Sequence, residues 1–302
     1  SNCSSLTSLD VSNFDTSKVT YMDFMFASCS SLTSLDVRNF NTSNVTNMGG
    51  MFTECSGLLS LDVRNFDTSN VTNMEFMFYK CSNLSSLELS SFDTSKVTTM
   101  YWMFAECKGL TALDVSIFDT SNLTNMDYMF YLSSNLTSLK LGKNFDKLTG
   151  ADMFSDCSNL KAIITPRTTI MTLNNNTTTN TGLKILPNAI LYVPTIAAET
   201  TFEADANYAD IFGADRIRPI LELVGDNPVK VKVGETYDEN VDSGVTIAGF
   251  DKANASGYTQ YGYNYTVTGL PVDTTTTGTK QVTYTLTKTE NGATTNGMSV
   301  TR

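Results

Sequence analysis

Residues 61–81 read Leu-Asp-Val-Arg-Asn-Phe-Asp-Thr-Ser-Asn-Val-Thr-Asn-Met-Glu-Phe-Met-Phe-Tyr-Lys-Cys. Closely similar strings begin at Leu35 and at Leu87, one at an equal interval to either side. Cys3, Cys29, Cys55, Cys81 and Cys107 keep that interval, as do the Met-Phe pairs ending at Phe26, Phe52, Phe78, Phe104 and Phe130. A period of roughly 20–50 residues marks a repeat architecture, in which each unit buries its apolar face only by stacking on its neighbours. The expected fold is therefore a solenoid.

Two periods follow one another inside the unit. From Leu58 to Val63 the spacing is L-x-x-L-x-V, and Leu61 and Val63 alternate with Ser60, Asp62 and Arg64. That alternation predicts a short strand with the apolar pair inward. Val71, Met74, Met77, Phe78 and Cys81 are then spaced 3, 3, 1 and 3, which predicts one face of a short helical turn. Thr72 with Glu75, like Thr20 with Asp23 and Thr124 with Asp127, has the spacing of a capping box before that turn. Phe66-Asp67-Thr68-Ser69-Asn70 between the halves reads as a polar corner, because these side chains bond to nearby backbone.

The string at residues 61–81 resembles the 26-residue repeat of bacterial surface proteins, a relative of the BspA-like leucine-rich repeats. The resemblance covers residues 1 to about 160. It implies a protein exported to or displayed on a bacterial surface, where many relatives are adhesins or host-contact proteins. Ser133 stands where the next cysteine is due, and the cysteine due after it at Asn159 arrives early, at Cys157, so the pattern decays near its end. Ser1 enters partway through a unit, which reads as an excised fragment with any export signal or anchor outside it.

The cysteines all occupy inward positions of the unit. A buried, reduced ladder is expected, because stacked parallel Cβ vectors suit disulfide torsions poorly and one thiol per coil cannot surround zinc. After Leu160 the repeat dissolves. Asn174–Gly182 is a polar, low-complexity loop, Ile190-Leu191-Tyr192-Val193 a strand, and Thr195–Phe212 helical with Phe202, Ala206, Ala209 and Phe212 inward. Residues 161–215 then close the open end of the stack, which would otherwise expose apolar side chains and a strand edge. The Leu-Tyr-Val-Pro segment and the helix after it also resemble the closing element of BspA-like proteins.

From Pro219 the composition turns to Thr, Val, Tyr and Gly. Strands are expected at 220–224, 229–233, 245–247, 263–267, 281–286 and 298–301, with Gly, Asn and Pro turns between them. Short alternating strands over residues 216–302 suggest a β-sandwich. The stretch Ile220–Tyr237 resembles the immunoglobulin-like modules strung along bacterial surface proteins, of the kind lacking Cys and Trp, which implies a spacer. The expected fold class is thus an α/β leucine-rich-repeat solenoid, with one short strand and one helical turn per coil, plus an all-β immunoglobulin-like sandwich.

The totals narrow the function. The net charge of −11 argues against nucleic acid, and residues 1–160, with 9 basic and 17 acidic side chains, hold −8 of it. The chain has no histidine, which removes the commonest general base and metal ligand; no catalytic residue, metal ligand or cofactor is expected. No run of residues is apolar and long enough to span a bilayer, so no membrane insertion is expected of this stretch.

Two surface columns could bind. The first runs Asp10, Asp36, Asp62, Glu88, Asp114, then Lys140, with Arg38 and Arg64 two positions along. It is either a solvated face whose arginines bridge neighbouring acids, or a surface for calcium or a cationic ligand, with Asp36, Arg38, Asp62 and Arg64 as candidates. The second lies between the methionines of each unit: Phe24, Gly50, Phe76, Trp102 and Tyr128, with Tyr79 and Tyr101 nearby. An exposed aromatic stripe suits binding, although packing between turns would explain it equally. The expected function is non-catalytic adhesion to a host or neighbouring-cell surface protein or glycan. A glycan module centred on Trp102 and a structural spacer without a ligand remain the alternatives.

Overall fold

The computed structural model describes residues 2–173, 188–212, 216–224, 244–247, 263–268, 283–290 and 293–301. Through residue 157 successive units lie one on another in parallel. Isolated parallel bridges link Tyr21 to Asn47, Asn47 to Asn73, Asn73 to Thr99 and Thr99 to Asn125. The Met-Phe phenylalanines form the spine of the core. Phe26, Phe52, Phe78, Phe104, Phe130 and Phe154 stack with centroids 5.4–5.8 Å apart. Leu61 and Val63 are buried, and Ser60 and Arg64 exposed, as the alternation requires. In the earlier units this inner segment forms no ladder. Hydrogen-bonded strands begin at β1 (Ala112–Val115).

The polar corner is closed by a threonine that imitates a strand partner. The Thr68 hydroxyl accepts the Asp93 N–H at 2.8 Å and donates to the Asp93 carbonyl at 2.9 Å. Thr42 does the same to Asp67 and Thr94 to Asp119. These threonines are buried, so each removes two backbone groups of the next unit from any need for water. Next to each, an Asp or Asn side chain accepts the second backbone N–H along the chain, as Asp67 does from Ser69 at 3.0 Å.

The helical turn expected from Val71 to Cys81 does not form. Phe76 and Lys80 lie in the left-handed region, at φ 55° and 57°. The amides of Met74, Phe76, Phe78 and Lys80 donate to Thr99, Tyr101, Met103 and Ala105 of the next unit, whereas those of Met77, Tyr79 and Cys81 donate to carbonyls of Met74, Phe76 and Phe78 in their own. A single helical turn would leave its first four amides without partners. Alternating turns satisfy them, some within the unit and the rest across it. The expected capping box is also replaced. The Glu75 N–H goes to Asn73 Oδ1 at 2.8 Å, and Thr72 Oγ1 donates to the Thr46 carbonyl.

The cysteines at the end of each arc are buried from Cys29 to Cys157. Cys55 Sγ donates to the Phe26 carbonyl, Cys81 to Phe52, Cys107 to Phe78 and Cys157 to Phe130, at 3.0–3.2 Å. Burial pushes the thiols of Cys55, Cys107 and Cys157 up to about 12. Ser133, read as decay, keeps the pattern: it is buried and its hydroxyl donates to the Phe104 carbonyl at 2.8 Å. Cys3 departs from the expectation. It is exposed, because no described residue covers that side of the first unit.

The stack ends in a parallel sheet. β1, β2 (Ser138–Leu141), β4 (Ala162–Ile164), β6 (Ile190–Val193) and β7 (Ile217–Pro219) pair in that order, and β3 (Lys147–Leu148) pairs with β5 (Thr172–Leu173). Leu113, Leu139, Ile163, Leu191 and Ile217 stand in register and are all buried. The helical segment is two helices, α1 (Ile196–Ala204) and α2 (Ala206–Phe212). Thr195 caps α1 by accepting the Ala198 N–H, and Asp205 interrupts the run. The interruption resets the helical phase. Phe202 and Phe212 are buried as expected, but Ala206 and Ala209 are exposed, and Tyr208 and Ile211 take the inward places. The Tyr208 hydroxyl donates to the Met171 carbonyl at 3.1 Å.

Beyond it, β8 (Leu221–Val224) pairs antiparallel with β9 (Gly244–Ile247), and β10 (Tyr263–Thr268), β11 (Thr283–Glu290) and β12 (Ala293–Thr301) form an antiparallel sheet. These strands fall on or beside five of the expected ones. The strand expected at 229–233, the loop at 174–182 and the turns between the strands lie outside the described residues.

Candidate functional site

One position between the two methionines of each arc sits at positive φ throughout: Phe24, Gly50, Phe76, Trp102 and Tyr128, at 51–60°. A left-handed residue turns its side chain out of the Met-Phe face, so this column is pressed toward the surface by backbone geometry. The cost of that conformation for bulky side chains is met by the cross-unit bonds of the same residues, such as Phe76 N–H to the Tyr101 carbonyl at 2.8 Å.

Phe76, Trp102 and Tyr128 form a tilted ladder with centroids 6.3 and 5.0 Å apart. Tyr79 and Tyr131 meet Trp102 edgewise at 5.2 and 5.4 Å. Tyr101 stands across Phe76, Trp102 and Tyr128 at 5.2–6.1 Å, with interplanar angles of 61–89°. Such pairs contribute about 0.5–1.5 kcal/mol each beyond area burial, so the rings support one another in this arrangement. All these rings are half-buried. Phe76 and Tyr128 flank the indole of Trp102 on either side, and among the described residues its buried Nε1 has no hydrogen-bond partner. Phe24 is set apart from the cluster. It is 46% exposed, and its ring fills the space that a Cβ on Gly50 would take.

A second left-handed column, Ser28, Glu54, Lys80 and Glu106, borders the rings. Lys80 Nζ lies 4.9 Å above the Tyr79 ring, 3.7 Å from Glu54 and 4.0 Å from Glu106. Tyr79 donates to Glu106 at 3.2 Å, and burial together with Glu106 raises its phenol despite Lys80. A shallow groove runs along this column between Ser28, Glu54, Lys80 and Lys108.

The charged candidates lie on the other arc. Arg38 grips Asp36 through two hydrogen bonds of 2.9 and 2.7 Å, and Arg64 grips Asp62 at 3.0 and 2.8 Å. The side-chain bonds from these arginines hold both carboxyls at about 2. Each arginine thus closes on the acid of its own unit. Among the described residues, cross-unit bridging in this column is done by Lys140, 2.9 Å from Asp114.

The structure therefore brings Phe76, Tyr101, Trp102 and Tyr128 together, leaves Phe24 apart, and puts Asp36, Arg38, Asp62 and Arg64 elsewhere. Sequence reasoning misses Tyr131, Lys80, Glu54 and Glu106. Tyr79 and Tyr131 both follow a Met-Phe pair, two periods apart, and that shared position is the available signal.

Over residues 1–60 and again over 56–166, the chain matches the family described as Mycoplasma protein of unknown function, DUF285. The chain belongs to that family. In this DUF285 member the matched residues contain every ring of the cluster and both left-handed columns, while the family description assigns no activity. No curated protein and no solved structure matches the chain.

Proposed function

We propose that this chain is a non-catalytic binding protein of the bacterial cell surface, of BspA-like kind. In this reading residues 1–160 are a leucine-rich-repeat-type solenoid, residues 161–215 its cap and residues 216–302 an immunoglobulin-like spacer. The parallel register between successive units supports the first part, and the antiparallel strands β8 to β12 are compatible with the last. The observation that carries the binding role is the half-exposed aromatic cluster around Trp102. It is held by backbone bonds between units, so it is pre-organised and needs little ordering on contact. Aromatic anchors in rigid surroundings are where binding energy concentrates.

The test is adhesion of beads coated with the intact chain to cells and extracellular matrix. Replacing Tyr101 and Tyr128 by serine is expected to abolish adhesion, while Arg38→Ser with Arg64→Ser leaves it intact. Equal adhesion by the aromatic variant and the parent would overturn the assignment of the surface.

A further inference from the structure

The partner's chemistry can be read from the side of the aromatic cluster that faces away from Lys80. At one equivalent position of successive units stand Glu75, Tyr101 and Asp127. Stacked units repeat at about 4.8 Å, so the two carboxylates flank Tyr101 at a backbone separation of about 10 Å. Among the described residues, neither Glu75 nor Asp127 enters an ion pair. Asp127 accepts the Ala151 N–H at 2.7 Å through one oxygen, which leaves it lone pairs to offer. On the opposite side Glu54 and Glu106 are already matched by Lys80 and Lys108. The uncompensated negative charge thus lies on the Tyr101 side. Burial raises the Tyr128 phenol there, and Asp152 and Asp127 raise it further.

Resting on the binding role proposed above, we infer that this surface takes a cationic segment of a protein partner, with arginine or lysine seated between Glu75 and Asp127 against Tyr101 and Tyr128. The two carboxylates of the rim only accept and the phenol oxygens can accept as well, whereas a guanidinium is donor-only, planar and apolar on its faces. Aromatic and acidic groups together favour such a group over a neutral one. The molecule already contains one example, Lys80 over the Tyr79 ring beside Glu106. A neutral sugar centred on Trp102 would need an open indole face, and Phe76 and Tyr128 stand to either side of that ring. The charge of −8 on residues 1–160 adds long-range attraction for a basic partner.

Trp102 is the one tryptophan of the chain, so its fluorescence reports directly on the site. The intact chain is titrated with an arginine-rich peptide, a glutamate-rich peptide of equal length and a neutral oligosaccharide. A saturable change in Trp102 emission with the arginine peptide alone is expected. Glu75→Gln with Asp127→Asn should weaken it about fivefold or more, whereas Asp15→Asn with Asp93→Asn, which removes equal charge elsewhere, should not. Equal weakening by both pairs would reduce the effect to overall charge and overturn the site. So would an oligosaccharide response, or no response to the arginine peptide. If cell adhesion is lost in the tyrosine variant yet persists in Glu75→Gln with Asp127→Asn, the cationic partner fails while the binding role stands.

Discussion

The two arcs of each unit carry the same period and are joined to their neighbours in different ways. Along the Met-to-Cys arc, every second amide from Met74 to Lys80 reaches the next unit, and the stacked phenylalanines lie directly beneath. Along the Leu-x-Val arc, the same register yields only scattered cross-unit bonds, such as Leu59 N–H to the Thr33 carbonyl, until the sheet begins at Ala112. Apolar burial therefore suffices to position the Leu-x-Val arc, whereas the Met-to-Cys arc is also tied to its neighbours through the backbone. Continuous backbone bonding is confined to the arc whose turns release alternate amides outward. It is also the arc that displays the rings, so rigidity and display have one cause.

This contrast can be broken from the inside first. Phe78→Ala removes a ring stacked on both sides and should cost about 3–5 kcal/mol by chemical denaturation. Leu61→Ala on the other arc should fall toward ~2 kcal/mol, the low end for a buried leucine. Equal losses would mean that the arcs contribute alike. Next, Thr68→Val keeps shape but strips the Asp93 N–H and carbonyl of their partner. About 1–3 kcal/mol should be lost, with faster amide exchange at Asp93.

The thiols sharpen the comparison without energies. Cys3 is exposed, whereas Cys55, Cys81, Cys107 and Cys157 are buried, with pKa values raised by that burial. Time-resolved alkylation followed by mass spectrometry should label Cys3 promptly and these others only with unfolding. Prompt labelling of Cys81 would show the Met-to-Cys arc opening locally.

The smallest effect belongs to the exposed arc. Asp36 titrates at about 2 against an ordinary 3.8, because its bonds with Arg38 favour the carboxylate. A depressed folded value contributes stability above the ordinary value and loses it as pH falls from 3.8 toward 2. Arg38→Ser should raise the Asp36 midpoint, read by NMR titration, and scarcely move the denaturation midpoint at neutral pH.

Much of the stack is legible in the sequence because burial in a repeat depends on which positions recur. The Phe spine, the inward Leu61 and Val63 and the aromatic column all stand out as columns. The helical turn misleads for a physical reason: residues spaced three apart share a face in a helix and in a chain of turns alike. Distinguishing the two requires knowing where the amides go, and every second one goes to another unit. Ser133 misleads similarly, since the position asks for a small buried donor to a carbonyl, and a hydroxyl serves as well as a thiol. Between Thr195 and Phe212, the helical pattern in the sequence runs on through Asp205, where the first helix stops, which puts Ala206 and Ala209 on the wrong side.

The chain's own order of residues determined the repeat period, the choice of side chains for the interior and the acidic balance of the repeating half. Those depend on recurrence and solubility, which a string of letters carries. Tertiary structure alone decided that the second arc is left-handed at two points per unit, that Trp102 is flanked by rings while Phe24 stands apart, and that Lys80 is matched while Glu75 and Asp127 are not. Each of these outcomes is set by contacts between units, where a neighbour one full period away supplies the carbonyl, the ring or the charge.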